Sequence, residues 1–68
     1  MNYRRYTKQE LCALIDIAEK NGGSIKYVNP FDLEWEFYRR TGKERASGPL
    51  YMCFWRIMKG YYDHVLSR

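Results

Sequence analysis

The amino-acid sequence predicts an all-α fold, a single small three-helix domain in which the last two helices form a helix-turn-helix. Three observations lead there. A capping box and two cap-plus-proline signals mark three helix starts, at Thr7, Asn29 and Ser47. Glycines follow the expected ends of the first two helices, at Gly22-Gly23 and Gly42, and Gly60 interrupts the third. Between these marks apolar residues recur every three to four positions, the spacing of one buried helical stripe.

At 68 residues the chain has room for one domain, residues 1–68. A chain this short buries only about 60% of the surface its unfolded form exposes. Its core must therefore be small and made of large side chains, and seven Tyr, three Phe and two Trp supply them. An enclosed substrate cleft would compete with that core, so the expectation is a protein that is not an enzyme.

The first helix is placed at about 7–21. Thr7 caps it, Glu10 completes the capping box, Tyr6 staples onto Leu11, and Leu11, Leu14, Ile15 and Ala18 form its stripe. Ser24 to Val28 reads as loop, because one extended segment without a partner makes no sheet. The second helix, about 30–41, starts with Asn29 as cap and Pro30 at the first position. Phe31, Trp35 and Tyr38 share one face, taken as the buried one, with Leu33 and Phe37 flanking it. Arg39 and Arg40 in its last turn complement the helix dipole. The third helix is placed at about 47–66, capped by Ser47, with a bend or end at Gly60. Its stripe is Leu50, Phe54, Ile57 and Tyr61, which leaves Trp55 outside; a shift of one position would exchange Phe54 and Trp55.

Charge is unevenly distributed. The net charge is +4, but residues 1–8 carry +3, residues 9–38 carry −4 and residues 39–59 carry +5. Such polarity suggests a face that meets a polyanion or an acidic protein. Arg39, Arg40, Lys43 and Arg45 bracket the turn before the third helix, and Arg56 and Lys59 extend the patch along it. These six are the candidate nucleic-acid contacts: phosphate binding from the turn, with Arg56 and neighbours near the bases. A second candidate surface is Tyr51, Met52, Trp55 and Tyr62, an aromatic and methionine cluster rimmed by Arg, which is the composition of a protein-binding hot spot.

Other chemistry is not signalled. Cys12 and Cys53 form no CxxC pair and read as buried apolar residues, with a Cys12–Cys53 bridge as the alternative. His64 has no second ligand or nucleophile near it in sequence, and Asp32, Glu34 and Glu36 alternate, so they do not share one helix face. No cofactor, metal or small-molecule substrate is expected. Met1 to Tyr6 is polar and basic, without the apolar core of a secretory signal, and the apolar run Leu50–Trp55 is too short to span a membrane. An intracellular chain is expected, in a bacterial cytoplasm or a nucleus, with no membrane partner.

With the helices placed, the pattern resembles the Myb/SANT class of helix-turn-helix domains over about residues 6–60. Tyr6-Thr7-Lys8-Gln9-Glu10 stands where that family has Trp-Thr-x-x-Glu, and Leu14 and Ile15 occupy the apolar positions that follow. Trp35 and Phe54 stand for the other two core aromatics, and Thr41 to Ser47 for the turn before the third helix. The resemblance implies a three-helix fold and DNA binding. The sequence departs from it in the tryptophans replaced by Tyr6 and Phe54, in a long first loop, and in an outer face of Gly48, Pro49, Tyr51, Met52, Trp55 and Arg56 that is largely apolar. The leading expectation is a small DNA-binding, transcription-regulating protein. The alternative is a protein-interaction module, such as a small phage or viral effector that docks on a host protein through its aromatic patch.

Overall fold

In the computed structural model, which describes residues 6–67, the chain forms helices α1 (Lys8–Lys20), α2 (Pro30–Thr41) and α3 (Ser47–Met58), then one turn of helix, α4 (Asp63–Leu66). No strand occurs among the described residues.

The starts of α1 and α2 follow from local chemistry. The Glu10 N–H donates to Thr7 Oγ1 at 3.2 Å while the Thr7 N–H donates to Glu10 Oε1 at 2.9 Å, closing both halves of the capping box. At the other end of α1 the Asn21 side chain donates to the Ile17 carbonyl, and Gly22 and Gly23 turn the chain away with φ of 82° and 101°. Helix α2 opens as expected: Asn29 Oδ1 accepts from the Phe31 N–H at 2.8 Å and Pro30 takes the first position. Gly42, at φ 71°, ends it, with its N–H donating to the Tyr38 carbonyl.

The start of α3 is different. Ser47 does not cap it; Ala46 holds the cap position and offers no side-chain bond. Instead the Ser47 N–H donates to Glu34 Oε2, at 2.8 Å, from the neighbouring helix α2. A carboxylate at the positive end of a helix satisfies an orphan donor and complements the dipole. At the far end α3 stops at Met58, where the expectation ran to residue 66: Gly60 takes φ 86° and the chain folds back into α4.

The core is one cluster. Leu11, Leu14 and Ile17 of α1, Leu33 and Phe37 of α2, and Leu50, Cys53, Phe54 and Ile57 of α3 are buried together, with Ile25 of the first loop sealing one side. Three expected placements are corrected. Ile17, not Ile15, completes the α1 stripe, and Ile15 is only partly buried. Phe31 and Trp35 are 83% and 58% exposed, so the buried side of α2 is the Leu33/Phe37 side. Tyr61 lies in the turn after α3 and faces solvent. In α3 Phe54 is the inward aromatic, and Trp55, 49% exposed, points outward.

Candidate interaction surface of helix α3 and the basic turn

The five residues 42–46 between α2 and α3 carry the basic turn, and the structure shows what its side chains do. Glu10 is the buried charged residue among the described residues, and Arg45 reaches it across the fold: Nε donates to Glu10 Oε2 at 2.5 Å, while the guanidinium packs 4.2 Å from the Tyr6 ring centroid. Lys43 Nζ stands 3.7 Å from the other oxygen of Glu10. Burial alone would push the Glu10 carboxyl up. The hydrogen bonds from Arg45 and the Thr7 N–H, with the charges of Arg45 and Lys43, outweigh it and hold the carboxyl below its ordinary range. Arg45 is raised by its hydrogen bond to Glu10. Only a tenth of its side chain is accessible, so of the six candidate cations Arg45 is the one engaged inside the fold, on Glu10.

Arg39 and Arg40 converge on a second carboxylate. Glu36 accepts from Arg40 at 2.6 Å, from Arg39 at 3.2 Å and from Lys20 of α1 at 3.2 Å, and the Arg40 bond leads in holding its carboxyl low. The start of α1 lies against this end of α2, since Gln9 donates to the Arg40 carbonyl. Five cations thus share two carboxylates, an excess of three positive charges. Lys20, Arg39 and Lys43 are the exposed ones among them, and Lys59 is exposed at the far end of α3 with its ammonium 5.5 Å from the Trp55 ring centroid. Arg56 lies beside the Tyr62 hydroxyl. The six predicted cations therefore do not form one free patch.

The aromatic candidates also divide. Tyr51 is anchored: its hydroxyl donates to the Val28 carbonyl at 2.6 Å and its ring packs against the core. Tyr62 is anchored too, edge-on to Tyr6 at 6.4 Å and close to the Cys53 thiol, and burial raises its hydroxyl pKa. Met52 and Trp55 are exposed, together with Met58, which sequence reasoning did not single out. Two shallow grooves meet at Tyr51 and Trp55. One, of about 440 Å³, runs over Gly48, Tyr51, Met52 and Trp55; the other, of about 340 Å³, lies between the 24–26 loop and Phe54, Trp55 and Met58. A third groove, near 600 Å³, separates α2 from the turn, with Phe31, Trp35 and Tyr38 on one wall and Glu44, Arg45 and Ala46 on the other. Trp35 and Tyr38 stack in it at 6.1 Å.

Both cysteines are free thiols. Cys53 is buried, and burial pushes it up to about 11, so it is an unreactive core residue. Cys12 is only half-buried, short of the burial expected. Among the described residues no cluster of three or more His, Cys, Asp or Glu can hold a metal, and no helix is long and apolar enough to cross a membrane. Comparison with protein-family models, curated proteins and solved structures finds no match.

Proposed function

We propose that this domain is a protein-interaction module that docks through the outer face of α3. The observation that carries the reading is the outward Trp55 beside Met52 and Met58, an aromatic and methionine surface on a rigid helix whose inner face is locked into the core. Such side chains dominate binding energy where they are desolvated at the centre of an interface. Three rigid features support a preformed surface: the Tyr51 anchor to Val28, the Glu34 cap on α3, and Phe54 packed beneath. Photo-crosslinking in cells tests it. With a crosslinking amino acid at Met52, protein adducts are expected that are absent when it replaces Lys43. Equal adducts from both positions would sink the assignment.

A second reading, a small DNA-binding regulator with a Myb/SANT-like helix-turn-helix, is favoured by the excess of cations around Glu36 and Glu10. The side chains placed to reach phosphates on this reading are Arg39, Lys43 and Lys59. Against it, the α3 start is flanked by the carboxylates Glu34 and Glu44. Fluorescence anisotropy with duplex DNA decides between them. Three phosphate contacts give a slope of about −3 in log K against log salt. Binding with that slope, abolished by Arg39→Glu with Lys43→Glu and indifferent to Trp55→Ala, would establish the DNA reading in place of the first.

A further inference from the structure

We infer that the α3 face takes an acidic amphipathic segment of a partner protein, seated in the groove between the 24–26 loop and α3; this deepens, and rests on, the docking role proposed for that face. The floor of the groove is apolar, built from Ile25, Phe54 and the sides of Trp55 and Met58, and among the described residues no carboxylate lines either it or the adjoining groove over Met52. Its charged rim is cationic at both ends. Lys26 belongs to the lining on the loop side, and Lys59 lies over the Trp55 ring on the helix side.

Chemistry sets what fits. A segment with an apolar stripe at helical spacing covers Trp55, Met52 and Met58, as amphipathic helices do in apolar grooves. Carboxylates on its flanks then meet the Lys26 and Lys59 ammoniums, whose partners among the described residues are the rings of Tyr27 and Trp55. A basic segment meets like charge on both rims, and like-charge juxtaposition is the usual means of rejecting wrong partners. Three acids of the domain are engaged away from these grooves: Glu36 and Glu10 are held by cations and Glu34 by the start of α3.

Selection from a displayed library of random 16-residue peptides, with the full chain as bait and a Trp55→Ser variant as counter-bait, tests both layers. Trp55 is half exposed, so the counter-bait should keep its fold, verified by circular dichroism. The expected result is enriched peptides that are net acidic with apolar residues three or four apart, and that bind at least tenfold more weakly to the Trp55→Ser chain. A Lys26→Glu, Lys59→Glu chain should invert the selection, enriching neutral or basic peptides. If enriched peptides depend on Trp55 but are neutral or basic on the native chain, the acidic partner is overturned and the docking face stands. If no enriched peptide depends on Trp55, the docking face itself fails. Concentration-dependent self-association that disappears in the Trp55→Ser chain would make the occupant a second copy and overturn the inference.

Discussion

Glu10 carries two structural duties through one carboxylate: it closes the α1 capping box and holds Arg45 of the turn across the fold. Breaking a buried pair by removing one partner costs about 3–5 kcal/mol, because the other charge is left uncompensated. A domain of this size has roughly 3–10 kcal/mol of stability. Glu10→Ala is therefore expected to be largely unfolded at 37 °C, as read by far-ultraviolet circular dichroism, whereas Arg39→Ala, an exposed partner of Glu36, should cost less than about 1 kcal/mol. The pH dependence follows in sign. The folded Glu10 carboxyl sits below its ordinary value of 4.5, so its contribution is present above that value and is lost as pH falls through the depressed one. Urea midpoints should drop between about pH 5 and pH 3 in the native protein. A Glu10→Gln chain should be less stable at neutral pH with a flatter acid limb; an unchanged acid limb would remove Glu10 from this role.

At the scale of the element, α3 owes its start to a residue that sequence distance hides. Glu34 reaches the Ser47 N–H from thirteen residues upstream, while the local signal, Ser47 before Gly48-Pro49, pointed to a self-supplied cap. Glu34→Ala should cost about 1 kcal/mol, which lowers the melting temperature by roughly 4–8 °C in a domain this small. Ser47→Ala should leave it nearly unchanged, and the reverse order would restore the serine cap. The starts of α1 and α2 were legible because their capping partners lie within three residues. The buried side of α2 was not. Phe31, Trp35 and Tyr38 fall at i, i+4 and i+7, but Leu33 and Phe37 make a stripe of their own on another side. Periodicity cannot say which of two apolar stripes meets α1 and α3. Gly60 announced a break in α3, and its positive φ turned that into an end, bringing Val65 and Leu66 back onto the core.

For the whole molecule, composition misleads about where aromatic mass resides. A chain with 18% aromatic residues is expected to bury them, yet of the described Phe and Trp side chains only Phe37 and Phe54 lie in the core, and aliphatic side chains fill most of it. This is also why the candidate site was half visible. Tyr51, Met52 and Trp55 could be grouped by spacing, but which aromatics were left over depended on how few the core needed, a quantity set by three-dimensional closure. With Trp35 and Trp55 both about half exposed, indole emission should lie near that of solvated tryptophan in the native state and shift little on urea unfolding, while circular dichroism reports a cooperative loss of helix. Iodide should quench both residues in the folded chain, and Trp35→Phe and Trp55→Phe should each remove a comparable share of quenchable emission. Phe37→Ala, at the centre of the single core, should by contrast cost about 3–5 kcal/mol and abolish the cooperative transition. A blue-shifted native emission that iodide cannot reach would mean that a tryptophan has taken a core position, and the docking face of α3 would fall with it if that residue were Trp55.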